Sequence, residues 1–184
     1  MGNWERLVWN QREALLASLQ RAAGASTRAT LRIRLHGDYG LSRVLITRND
    51  FVIIGFGGNS TQGFDSARAK GSPLRDVAGM LHTFCDARWS ALRRLVHTCE
   101  DLEQLAPLAR TWHLQARQAF LAAYDAVAPE PAGAQAGGWL GVFELAHAID
   151  QLRDELDQRS EGLRPALQTV LDLSARWSGP GAHP

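Results

Sequence analysis

Residues 31–58, "LRIRLHGDYGLSRVLITRNDFVIIGFGG", decide the fold. Leu31, Ile33 and Leu35 alternate with Arg32 and Arg34, the period-two pattern of a half-buried strand. That strand runs into His36-Gly37-Asp38. "RVLIT" and "FVII" follow as two further short strands joined through Arg48-Asn49-Asp50, a hairpin or a close variant of one. The segment closes on Gly55-Phe56-Gly57, and the polar, glycine-dotted stretch from Gly58 to Gly71 reads as a loop.

Outward from this strand cluster the pattern is helical. Residues 4–23 carry Trp4, Leu7, Val8, Leu15 and Leu19 largely on one stripe, and "GASTRA" ends that helix. Ser72-Pro73 opens another, with Ser72 as cap and Pro73 in the first turn, and Leu74, Val77, Ala78, Leu81 and Phe84 mark its buried face. Pro107 is expected to start a helix carrying Leu108, Trp112, Phe120 and Tyr124. "APEPAGAQAGG", residues 128–138, is a flexible connector, and Trp139, Phe143, Ala146, Ile149, Leu152 and Leu156 line the helix beyond it. Pro165 begins the last helix, and residues 177–184 form a tail without order. The expected class is mainly α (α+β), one domain over residues 1–176, with three strands near residues 31–54.

Composition narrows the partners. Hydrophobic residues make up 45% and charged residues 21% of the 184, with a net charge of +1, the balance of an ordinary globular protein. Lys70 is the only lysine, and the arginines are interspersed with acids rather than clustered, so the charge pattern argues against nucleic acid as a partner. No run of eighteen apolar residues offers a membrane span, and Glu5, Arg6, Arg12 and Glu13 interrupt any leader-like run. Cys85 and Cys99 lack metal-ligand spacing and suit a reduced cytoplasmic interior as small hydrophobes. The histidines have no partner at ligand spacing, so no metal is assigned. The six tryptophans offer sugar-stacking faces, yet at helical spacing read first as core; Glu144 and Glu155 read first as a solvated or ion-paired helix face.

The chemistry lies in the strand cluster. Phosphoryl transfer needs a carboxylate to orient the acceptor hydroxyl, and an amide and a second carboxylate to hold magnesium against the phosphates. In kinases the amide follows the first carboxylate by five residues, and the second carboxylate opens a motif after a hairpin. Asp38 fills the first place. Arg43 stands five residues on, and Gly55 precedes Phe56.

"HGDYGLSRVL" resembles the catalytic loop of the bacterial maltokinases, whose pattern is His-Gly-Asp-Tyr-His, then Leu-Gly-Gln-Val-Leu, then Asp-Phe-Glu-Gly-Glu-Pro. "KGSPLRDVAGMLHTF", residues 70–84, is similar to their Lys-x-Ser-Pro-Leu-Arg-Asp-Val-Ala-Gly-Met-Leu-Arg-Ser-Phe segment. "FELAHAIDQLRDELDQR", residues 143–159, looks like their late Phe-Glu-Leu-x-Lys-Ala helix. The likeness runs in order through about residues 1–171. It implies the C-terminal lobe of a protein-kinase-like, aminoglycoside-phosphotransferase-like fold, and an ATP- and magnesium-dependent enzyme that forms maltose 1-phosphate.

Carried over by position, the resemblance makes Asp38 the catalytic base and His36 the histidine that positions the loop. Arg75 and Asp76, early in the Ser72-capped helix, read as ties from that helix to the loop, with Asp76 in the first turn where a carboxylate meets the positive end of the helix dipole. The family's second histidine is Gly40 here, its magnesium-binding glutamine is Arg43, and the two acids of Asp-Phe-Glu are Gly55 and Gly57. Taken by themselves, Asp38 also reads as a turn-capping residue and His36 as a structural hydrogen bonder. Arg43 is open to solvation, to pairing with an acid such as Asp38, or to direct contact with a phosphate. About 30 residues precede the loop, with no glycine-rich loop and no lysine among them, so a lone C-lobe is expected. The leading expectation is a catalytically impaired binding or scaffold module that takes no cofactor alone. Half of a split or truncated maltokinase is the alternative. In either case maltose or a related disaccharide is the small ligand, and a second copy or a protein partner covers the face left by the other lobe.

Overall fold

The computed structural model describes Glu13, Leu16, Gln20 and residues 31–56, 70–129, 138–158 and 163–178. Most of the amphipathic stretch 4–23, the loop 57–69 with Gly57, most of the connector and the tail beyond residue 178 therefore lie outside the described residues. The chain groups into two compact units, residues 31–132 and residues 1–30 with 133–184.

The first unit holds every described strand. β1 (Ile33–Arg34) is followed by a 3-10 turn (Leu41–Arg43), β2 (Val44–Ile46), β3 (Phe51–Ile53) and β4 (Lys70–Gly71). β2 and β3 pair antiparallel as Val44↔Ile53, Leu45↔Val52 and Ile46↔Phe51. Thr47 closes their turn: its backbone N–H and its hydroxyl both donate to the Asp50 carbonyl, at 2.8 and 2.9 Å. The Asp50 carboxylate accepts the Phe51 N–H at 2.8 Å, an aspartate serving its own turn.

β1 pairs antiparallel with β4, as Ile33↔Gly71 and Arg34↔Lys70, so residues 70–71 belong to a strand rather than to the loop expected there. Only two residues of 31–35 are strand, and Leu31 and Ile33 are exposed, not half-buried. Leu35, the third apolar residue of the alternation, is half-buried as expected and packs over Gly71 of β4.

α1 (Leu74–Leu95) buries Leu74, Val77, Ala78, Leu81, Cys85 and Leu92, and adds Gly79 and Met80, while Phe84 is half-buried. Pro73 occupies the cap position, and the Ser72 hydroxyl accepts the Leu74 N–H at 3.4 Å; the start differs by one residue from the sequence expectation. α2 (Cys99–Val127) begins eight residues before Pro107, which lies inside it. The start is set by a capping box: the Thr98 hydroxyl accepts the Asp101 N–H at 3.1 Å, and the Asp101 carboxylate accepts the Thr98 N–H at 2.9 Å. Pro107 has no N–H to give to the preceding turn, so the helix runs through it with one intrahelical hydrogen bond missing. α1 and α2 meet through Phe84, whose ring stands edge-on to Trp112 at 6.5 Å and to Phe120 at 5.9 Å. Such pairs add about 0.5–1.5 kcal/mol beyond burial. Trp112 nonetheless keeps 46% of its surface exposed. Cys85 is buried in α1, but Cys99 opens α2 and is exposed, contrary to its reading as a small core hydrophobe.

In the second unit α3 (Trp139–Gln158) packs on α4 (Leu163–Ser178) around Leu145, Ala148, Val170 and Leu173, with Leu152 against them. The buried stripe of α3 runs through Leu140, Glu144, Leu145 and Ala148, so Ala146, Ile149 and Leu156, expected inside, face outward. Glu144 is buried rather than on a solvated face. The buried hydroxyls of α4 are satisfied within the helix, Thr169 by the Pro165 carbonyl at 2.9 Å and Ser174 by that of Val170 at 2.6 Å. No described helix is long and apolar enough to cross a membrane.

Candidate functional site

The loop between β1 and the 3-10 turn is held from below by α1. Asp76 lies in the first turn of that helix, and its carboxylate accepts two backbone N–H groups, His36 at 2.8 Å and Gly37 at 2.9 Å. Charge-assisted bonds of this kind are roughly twice as strong as neutral ones. Helix and loop are thereby joined across about 40 residues of sequence. Arg75, beside it, is exposed, with its Cδ 3.9 Å from where a Cβ on Gly71 would stand.

His36 is buried, and both of its ring nitrogens are engaged. Nε2 donates to the Ile54 carbonyl at 2.8 Å, and Nδ1 accepts the Asp38 N–H at 3.3 Å, a pairing that requires the proton on Nε2. The ring thus ties the loop to the end of β3, with the Phe56 ring packed 4.7 Å away and Tyr39 at 5.7 Å. Burial, and to a lesser degree the Asp76 charge, push the Tyr39 hydroxyl above its ordinary value, so it stays a neutral phenol.

A second anchor comes from Thr83 of α1, which the sequence reading did not single out. Its hydroxyl accepts the Leu41 N–H at 3.2 Å and donates to the Met80 carbonyl at 2.8 Å, fixing the start of the 3-10 turn. Its methyl fills the space over Gly40, where a Cβ would stand 2.5 Å from Thr83 Cγ2. A lone Thr inside a helix carries no sequence signal for such a role, because the partner lies 42 residues away.

The turn delivers Arg43. Its backbone is fixed by donation to Gly40 O and acceptance from Ile54 N, both at 2.9 Å. Its side chain crosses in front of Gly55, with Cδ 3.2 Å and Nε 3.5 Å from the position of a Cβ there. Nε then donates to Asp38 Oδ2 at 3.0 Å, and Nη2 contacts the same oxygen as an ion pair. The structure therefore brings Asp38, Arg43 and Gly55 together, with His36 and Asp76 beneath them. Of the alternatives open for Arg43 in the sequence, the observed one is the pair with Asp38.

This donor set does not fit magnesium, which needs six oxygen ligands at about 2.0–2.1 Å in near-ideal octahedral array. Asp38 is committed to a guanidinium, Arg43 offers no acceptor, and Gly55 offers no side chain. A divalent ion about 4 Å from that guanidinium would be repelled by about 8 kcal/mol at an effective dielectric near 20, and by less with solvent access. Among the described residues there is no group of three His, Cys, Asp or Glu side chains able to hold a metal ion.

No protein-family model matches the chain. Among solved structures it is similar to a glucosamine kinase in complex with glucosamine, ADP and inorganic phosphate, with a TM-score of 0.55 and 19% identity, over 94% of this chain and 41% of that one. A second crystal form of glucosamine kinase gives the same TM-score and identity, over 94% of this chain and 44% of that one. The chain thus spans less than half the length of the kinases it matches. At this identity the likeness establishes the fold, a mostly helical kinase-like lobe with small antiparallel sheets, and leaves the sugar and the activity to be argued from the site.

Proposed function

We propose that this chain is a kinase-like lobe of sugar-kinase type, similar in motif to the maltokinases, that acts as a binding or scaffold module rather than as a phosphotransferase. The observation that carries the reading is the Asp38–Arg43 ion pair lying across Gly55. It places a fixed cation where magnesium would need two oxygen ligands, and it engages the carboxylate that would orient an acceptor hydroxyl. Maltose or a related disaccharide is the sugar that the motif suggests, and ATP with magnesium the cofactor pair that the lobe no longer seats by itself.

The test is thermal. Saturating ATP with magnesium leaves the melting temperature unchanged, whereas a ligand at a hundred times its Kd adds about 2.7 kcal/mol, several degrees for a domain of this size. A magnesium-dependent rise would defeat the reading. Calorimetry with maltose and trehalose then asks whether a sugar site is retained.

A second reading, the C-terminal half of a two-chain maltokinase, draws on the length comparison and on the β2–β3 hairpin. Ile46 is 88% exposed and Phe51 59%, with Leu45 and Val52 also outward. Apolar surface of that kind favours a covering partner, either a second copy or a nucleotide lobe. Light scattering should then report association, and maltose 1-phosphate should form with an added nucleotide lobe but not with Asp38→Asn. A well-folded complex without product excludes this second reading.

A further inference from the structure

We propose that the Arg43 guanidinium is a metal-free seat for a phosphate group, held closed by Asp38. The inference rests on the reading that no divalent ion occupies the site, and it assigns the ligand chemistry that follows. A guanidinium presents five N–H donors in a fork that matches two phosphate oxygens, and its charge cannot be discharged by losing a proton. Asp38 uses that fork poorly. A single oxygen, Oδ2, receives both Nε and Nη2, whereas a well-seated carboxylate takes two parallel bonds through two oxygens. Nη1 has no hydrogen-bond partner among the described residues. The side chain keeps 38% of its surface in solvent, so the unused donors are reachable.

Gly55 keeps that approach open. A Cβ at this position would stand 3.5 Å from Nε and 3.7 Å from Cζ, in contact with the face of the guanidinium. The backbone that carries Arg43 is fixed at both its N–H and its C=O, so only the side chain has to move for the fork to turn outward. The other carboxylate at the site, Asp76 of α1, is occupied by two backbone N–H groups of the loop and does not compete for it.

The charge balance makes Asp38 the gate. With Asp38 in place the pair is neutral, and an incoming phosphate must displace one anion while sitting near it. Without that carboxylate the same phosphate meets an unopposed cation. The ligand class is a small molecule with a terminal phosphate. A nucleotide and a sugar phosphate share this chemistry, and the test separates them.

The experiment is calorimetric titration with inorganic phosphate, ADP and glucose 1-phosphate, at low ionic strength and with EDTA present. The protein is the full chain as wild type, Asp38→Asn, Arg43→Gln, and the double variant. Asp38→Asn binds at least one of the three probes tenfold or more tighter than wild type, and both proteins that lack Arg43 lose that binding. Tightest binding of ADP indicates a nucleotide, and of glucose 1-phosphate a sugar phosphate. If Asp38→Asn gains nothing, if Arg43→Gln binds as well as wild type, or if EDTA abolishes binding, the proposal is overturned. Asp38→Ala replaces the asparagine variant should that one fail to melt cooperatively. The two readings fail separately: magnesium-dependent tightening of ATP defeats the impaired-lobe reading, and lack of metal-free phosphate binding by Asp38→Asn defeats only this one.

Discussion

The contact between Thr83 and Gly40 allows a strict energetic test of how α1 shapes the loop. Gly40 has an extended backbone, φ −172°, that any residue adopts, so Gly40→Ala carries no conformational strain. Its cost is steric. The new Cβ would stand 2.5 Å from Thr83 Cγ2, about 1 Å inside the ordinary carbon–carbon separation, and overpacking of this kind costs about 1–3 kcal/mol. Thr83→Ser removes that methyl and keeps the hydroxyl that accepts from Leu41 and donates to Met80. The nearest atoms to the added Cβ are then Thr83 Cβ and Oγ1 at 3.5 Å, ordinary contact. Thr83→Ser alone should cost no more than the burial of one methyl, about 0.8 kcal/mol. The double variant should fall within about 0.5 kcal/mol of wild type, a favourable coupling of about 1–3 kcal/mol. Urea unfolding followed by both fluorescence and circular dichroism measures the cycle. Additivity of the two single changes, within about 0.5 kcal/mol, would refute the packing argument.

The remaining predictions concern the anchors. Asp76→Ala leaves two loop N–H groups without their acceptor and should cost about 2–4 kcal/mol, with faster amide exchange at His36 and Gly37 than elsewhere in the unit; unchanged exchange there would contradict the clamp. Thr98→Ala should destabilise by about 1 kcal/mol in denaturant unfolding through loss of the α2 cap. Backbone N–H bonds from His97 and Thr98 and the Thr98 hydroxyl hold the Asp101 carboxyl below its ordinary value. Its stabilisation is therefore full above the unfolded-state value and is lost as pH falls through the lower folded one. Stability at acid pH should fall less steeply in Asp101→Asn than in wild type, as equilibrium unfolding across pH would read. Gly55→Ala should cost about 1–2 kcal/mol because φ there is +82°, and an unchanged unfolding midpoint would argue against that backbone geometry.

Local features of the fold were legible because their determinants are neighbours in sequence. The Arg48-Asn49 turn and the Ser72-Pro73 helix start need only a few adjacent residues. β4 was not legible: Lys70 and Gly71 become a strand only by meeting β1, more than thirty residues earlier. Pro107 misled because a break signal was weighed without the Thr98–Asp101 box that starts α2 upstream. On α3, Leu152 packs on the core as expected while Ile149 and Leu156 do not, since they are as apolar as Leu145 and only the packing against α4 selects between them. In the site, the sequence shows Arg43 and Gly55 at the places where phosphoryl transfer would call for metal ligands. It does not show that Arg43 reaches across Gly55 to Asp38, because an arginine side chain has many rotamers and its partner is chosen in three dimensions. Asp76 shows the same limit: its place in the first turn of α1 can be read, and the two N–H groups it binds cannot.

The left-handed backbone at Gly55 also bears on how the chain could change by mutation. An aspartate introduced there alone would enter a conformation that disfavours side chains and would press on Arg43 at 3.2 Å. Exchanging Arg43 for glutamine first would strand Asp38 without its counter-charge and gain nothing in return. Each single step toward a metal-holding pocket thus costs folding stability before any chemistry could reward it. The present arrangement is simpler to elaborate than to convert.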